Sequence, residues 1–214
     1  MEHKKQFARL SDKARRILEN SPRCHDWDHT LRVLGHARKL AALEGVQNLR
    51  VVELAAVLHD IARADEMAIK GKICHARQGA ATAAALLVEA GVEPETVAKV
   101  VLCVRRHRYR GDDPPMSLEE RIIYDADKLD SIGAIGIGRA FHFAGRVGAR
   151  VHNRESEALA GAPYSHEDTA YREYLVKLRD IPGRLLTESG RRLAAEAAEF
   201  MERFFERLNQ ETYG

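Results

Sequence analysis

Apolar positions recur at helical spacing along nearly the whole chain. Phe7, Leu10, Ala14 and Ile17 step three or four residues apart and predict a first helix that stops at Asn20-Ser21-Pro22. A second helix follows Asp26-Trp27-Asp28, either aspartate serving as its cap, with Val33, Ala37 and Leu40 on one face. From about 49 to 62, Val51, Leu54, Ala55, Leu58 and Ile61 cover most of a helix's circumference, the pattern of a central, buried helix. Residues 76–90 are alanine-rich and end at Gly91; Pro94 then opens a helix marked by Val97, Val100, Val101 and Val104. Leu118, Ile122, Ala126 and Leu129 mark another, running into the glycine-spaced segment 132–138. Residues 145–163 are polar and glycine-rich and read as a long loop or flap. Two C-terminal helices follow, the last starting at Thr187 with Leu193, Ala197, Phe200, Phe204 and Leu208 on one stripe. No period-2 segment of useful length occurs, so the expected fold class is all-α.

Composition narrows the function. The chain has 214 residues, 45% hydrophobic and 31% charged, with a formal net charge of +2. That suits a folded domain and argues against binding long nucleic acid through bulk electrostatics. The longest uncharged apolar-rich run, 78–88, is too short to cross a bilayer, and MEHKKQ lacks the apolar stretch of a secretory signal. Cys24, Cys74 and Cys103 form no CxxC pair. Reduced thiols in a cytoplasm are the expected state. GxGxxG, GxSxG and P-loop motifs are absent.

The candidate chemistry lies in where the ten histidines fall. His29 precedes Val33 by one turn, His59 follows Ala55 by four, His107 follows Val104 by three, and Asp127 follows Ile123 by four. These offsets share a helix face, so each polar group points toward an apolar interior. A metal ion is the simplest common partner for buried imidazoles and carboxylates. His59 and its neighbour Asp60, with His29 and Asp127 added from other helices, give two nitrogens and two carboxylates, which suits a mid-row divalent ion.

The chain resembles the HD-domain superfamily of metal-dependent phosphohydrolases. The carriers are HDWDHTLRV from His25, AAVLHDIAR from Ala55, RRHRYRG from Arg105 and DADKLDSIGAIGIGR from Asp125. It is most similar to a bacterial subgroup of small, mostly uncharacterised HD hydrolases, in which the DADxLDxxGxxGxxR stretch and a C-terminal KL…T…GR…A…F pattern recur. Here the latter runs from Lys177-Leu178 to Phe200. The resemblance spans about 22–205. It implies an all-α HD helical bundle with additional C-terminal helices: one domain over 1–214, a core of about 22–140 and an extension of about 164–210. It implies that His29, His59, Asp60 and Asp127 hold the metal: Mn, Fe, Co, Ni, Zn or Mg. In the binuclear branch two further histidines between HD and the last aspartate hold a second ion. His75 and His107 stand in that order, at a shorter interval from Asp60; phosphate contact or a satisfied core position are the alternatives.

Arg63, three residues after Asp60, stands where some HD families carry a phosphate-facing Lys. An Arg there suits a bidentate phosphate contact, or else serves its helix terminus. Arg32 and Lys128 are weaker candidates, with surface salt bridges as the favoured reading. Asp125 and Asp130 flank Asp127 and suit capping or ligand-supporting roles. His3, His142, His152 and His166 suit surface or loop positions. The expected function is hydrolysis of a nucleotide or another small phosphate ester, with Asp60 as the carboxylate that orients or deprotonates water. A homodimer is compatible with this reading. The rival classes are a mixed-valent di-iron oxygenase and a non-catalytic nucleotide-sensing module.

Overall fold

The computed structural model describes residues 2–19, 26–63, 74–109 and 112–214. The expected stop at 20–22, and His25 and Cys24, lie outside them. Among the described residues there is no strand. The chain divides into two units, Met1–Asp127 and Lys128–Gly214.

In the first unit α1 (Glu2–Leu18) buries Leu10, Ala14 and Leu18 on one stripe. Helix α2 (Trp27–Leu43) is capped by Asp26, whose side chain accepts from the His29 backbone N–H, and its predicted face of Val33, Ala37 and Leu40 is fully buried. Helix α3 (Arg50–Leu58) is buried at Val51, Val52 and throughout 54–58. It packs against α1, α2 and α5, as an all-round apolar helix must. Helix α4 (His75–Glu89) and α5 (Pro94–Arg106) form a hairpin. Its turn uses Gly91 at φ 71°, with the Val92 N–H bonded back to Leu87 O, so the chain stops and reverses within a few residues. Helix α6 (Leu118–Leu129) buries Ile122, Ile123 and Ala126.

In the second unit the glycine-spaced segment is a new helix, α7 (Gly133–Arg146), and does not continue α6. Gly133 takes a φ of 69°, and a Cβ on Gly136 would sit 2.3 Å from the Ser131 carbonyl oxygen. Both positions therefore demand glycine. The buried Asp130 carboxylate accepts from Arg139 Nη1 at 2.7 Å, so the last residue of the GxxGxxR stretch anchors the turn.

The 145–163 segment differs from the expected loop. It contains α8 (Glu155–Ala160), and its polar residues are used internally. Asn153 is fully buried, donates to Glu167 Oε2 at 2.8 Å and accepts from Thr169 Oγ1 at 2.7 Å. His152, expected at the surface or in a loop, lies in a loop but is buried beside Tyr171 and Tyr213 and bonded to Asn209 at 2.8 Å.

The first of the two expected C-terminal helices is broken into α9 (Ala170–Val176), a 3-10 turn (Leu178–Asp180) and α10 (Ile181–Arg184). Lys177 leaves helical geometry, and Pro182 lacks the N–H that would continue a ladder. Thr187 caps α11 (Glu188–Tyr213) as predicted. The buried face of α11 is Gly190, Ala194, Met201 and Phe205, one stripe over from the predicted one, with Phe200 41% exposed. The ring of Phe205 decides this by stacking on Tyr174 at 4.5 Å.

Candidate metal centre

Six side chains meet inside the first unit, drawn from five segments. His29 stands on the first turn of α2, held by the Asp26 cap. Helix α3 ends at Leu58, and the backbone tightens into a turn over 59–62, with Ile61 N–H bonded to Leu58 O and Arg63 N–H to Asp60 O. That turn resolves the difficulty of two neighbouring ligands, which would diverge by about 100° on a continuing helix. His75 opens α4, His107 follows the end of α5, and Asp127 lies in the last turn of α6.

The ligand-type atoms form two groups: His29, His59 and Asp127; and Asp60, His75 and His107. Asp60 joins them. Its Oδ2 lies 3.7 Å from His29 Nε2 and 3.8 Å from His59 Nε2, while its Oδ1 lies 3.1 Å from His75 Nε2 and 3.5 Å from His107 Nε2. His29 Nε2 is 3.2 Å from His59 Nε2 and 3.6 Å from Asp127 Oδ1. The site is buried except at Asp127, whose side chain is 15% exposed.

Backbone carbonyls set two of the rings. His59 Nδ1 lies 2.8 Å from Ala56 O, and His107 Nδ1 lies 2.6 Å from Val104 O. A carbonyl only accepts, so each Nδ1 carries the proton and each Nε2 turns a lone pair to the cavity. Burial lowers the His59 pKa from 6.5 to about 4 against the opposing pull of Asp60, so this ring is neutral near pH 7. Neutral, oriented imidazoles beside carboxylates fit a divalent ion.

All the residues expected at the metal therefore converge, His75 and His107 included. Arg63 Nη1 lies 2.9 Å from His75 Nδ1. Arg108, absent from the sequence expectations, reaches the same nitrogen at 3.3 Å. Its neighbours in the RRHRYRG stretch serve other ends, since Arg105 and Arg106 both pair with Asp113. The only signal for Arg108 in the sequence was its place next to His107. Cys74 precedes His75. Burial raises its pKa, but the N–H groups of Arg77 and Ala76 and the Arg108 guanidinium prevail and hold it below its ordinary value. Asp125 is fully buried, and Arg32 and Lys128 are half-buried.

Residues 26–132 match the HD domain family. The chain belongs to that family. It is 30% identical over 218 residues to the uncharacterized protein YpgQ of Bacillus subtilis (strain 168), covering 100% of this chain and 97% of that protein. Among solved structures, B. subtilis YpgQ in complex with ADP is similar, with a TM-score of 0.77 at 28% identity over 100% of this chain and 98% of that one. An HD-superfamily hydrolase from Bacillus thuringiensis is similar at a TM-score of 0.75 and 26% identity, over 99% of this chain and 100% of that one. The HD match itself ends at residue 132, while the similarity to these relatives runs the length of the chain; no helix among the described residues is long and apolar enough to cross a membrane.

Proposed function

We propose that this HD protein is a metal-dependent phosphohydrolase acting on a nucleotide or a related small phosphate ester. His29, His59, Asp60 and Asp127 hold one divalent ion. The observation that carries the reading is the Asp60 carboxylate, which sets one oxygen toward His29 and His59, themselves grouped with Asp127, and the other toward His75 and His107. When bound, the ion supplies Lewis-acid polarisation of a phosphoryl oxygen and eases deprotonation of water. Asp60 orients that water through a carboxylate oxygen. Arg63 pairs with phosphoryl oxygens, for which its planar fork is suited. The ADP bound to the B. subtilis relative supports a nucleotide as the ligand class.

The test is a screen of nucleoside mono-, di- and triphosphates and sugar phosphates under Mn²⁺, Co²⁺, Ni²⁺, Zn²⁺ and Mg²⁺, paired with elemental analysis. Turnover that requires a metal and is lost in His59→Ala is the expected result. Tight nucleotide binding without turnover under every metal would turn the reading to a sensing module.

A further inference from the structure

We propose that a second copy of this chain docks on the outer edge of α7 and α11, with the two α11 helices antiparallel and the two-fold axis beside Phe200. The surface lies wholly in the second unit, and the proposal does not depend on the metal site.

Helix α11 carries two apolar stripes, and the unit buries one of them. Gly190, Ala194, Met201 and Phe205 face inward. On the other stripe Phe200 is 41% exposed, and Leu193 and Phe204 are half-buried. The Phe204 ring meets Phe141 of α7 edge-on at 6.0 Å, and a Cβ on Gly133 would come within 3.3 Å of the Ala197 Cβ. The two helices therefore run side by side in the same direction, and Phe141, Phe200 and Phe204 form a ridge along their edge. Beside this ridge α7 is cut low. Gly138 and Gly145 share the face of Phe141, and a Cβ on either would meet nothing within 4 Å. A two-fold contact uses one patch for both partners, so a ridge and a trough side by side let each copy fill the other. An aromatic centre rimmed by charge is also the anatomy of specific interfaces.

The charges beside the ridge select a second copy as the occupant and fix its direction. Glu196 lies one turn before Phe200 and Arg203 about one turn after it, on the same flank of α11. Among the described residues Glu196 has no ion pair, and Arg203 pairs only within its own helix, with Glu199 at 2.8 Å. An antiparallel copy centred beside Phe200 sets each Glu196 against the partner's Arg203, so one acid and one base per chain give two ion pairs across the axis. A parallel copy would set Glu196 against Glu196 and Arg203 against Arg203, which is repulsive. Further out, Arg192 faces the partner's Arg207, whose charge Glu211 already offsets at 2.6 Å. The pattern of acid, aromatic centre and base is thus complementary to itself when reversed.

The test is sedimentation velocity of the full chain between about 1 and 100 µM, with circular dichroism to confirm that each variant is folded. The wild type should sediment as a dimer at the upper end of that range. Phe200→Asp should be monomeric with its helicity unchanged. Glu196→Arg and Arg203→Glu should each weaken association about tenfold or more, because each turns two attractions across the axis into two repulsions. An equimolar mixture of these two variants should regain the wild-type affinity as a heterodimer, since each supplies the sign that the other has lost. Both reversals are at exposed positions, so the mixture decides the matter even if Phe200→Asp fails to fold. A wild type that stays monomeric throughout would leave the face to a different partner and overturn the proposal. So would a dimer that survives Phe200→Asp, which must use another face, or a mixture that associates no more tightly than its components.

Discussion

Asp60 Oδ1 and His75 Nε2 lie 3.1 Å apart, a hydrogen-bond distance, whereas Asp60 Oδ2 stands 3.7 Å from His29 Nε2, beyond one. The two faces of a single carboxylate thus differ. Oδ1 lies within hydrogen-bond reach of His75, and Oδ2 stands from His29 at a separation that ligands around a common ion take.

Asp60→Ala should lower metal-dependent turnover by more than about a hundredfold and reduce bound metal, since it removes the carboxylate common to both groups. Far-UV circular dichroism should stay helical. Wild-type turnover in the variant would place the chemistry elsewhere.

The acid stability of the metal-free protein should report His59. Its folded-state pKa is lowered to about 4 from 6.5, so between those values the unfolded chain binds more protons than the folded one. The stability from this group is present above about pH 6.5 and falls as pH drops through that window. The expected loss is about 2 kcal/mol between roughly pH 6.5 and 5, read from urea midpoints. His59→Gln should flatten this part of the profile, and an unchanged slope would show that His59 is not the group responsible.

Arg139→Met should destabilise the protein by on the order of 3 kcal/mol, because it strips a cationic partner from the buried Asp130 carboxylate. Asp130→Asn in the same background should recover part of the loss. A thermal midpoint unchanged by Arg139→Met would mean that the pair does not stabilise the turn.

His152→Ala should cost about 2 kcal/mol through lost packing on Tyr171 and Tyr213 and the lost bond to Asn209. Metal content should not change. If it falls while stability holds, His152 has been assigned to the wrong role.

Much of the helix plan and the meeting of six polar side chains could be read before any coordinates. His29, His59, His107 and Asp127 each sit at helical spacing from apolar residues, so periodicity says which way they point. It says nothing past a helix end. Arg108 lies beyond the last turn of α5, where Tyr109 swings the backbone to a positive φ, and only the folded chain reveals that it reaches His75 Nδ1. The face of α11 was misjudged for another reason. Phe200, Met201, Phe204 and Phe205 offer two adjacent apolar stripes, and the stacking of Phe205 on Tyr174 chooses between them. His152 and Asn153 sit in a segment without periodicity, so their burial rests on hydrogen bonds to distant residues that no local pattern encodes.

The site is scattered along the chain, and this bears on the protein's lifetime. His29, His59, Asp60, His75, His107 and Asp127 come from α2, the turn after α3, α4, the end of α5 and α6, so no single helix or helical hairpin carries the set. An ion held by such a set binds the assembled unit and not its pieces, and by mass action it draws partly opened chains back to the closed form. Metal scarcity would then act twice, slowing turnover and leaving more open chain for proteases, so that metal supply would govern how much of the protein persists as well as how fast it works.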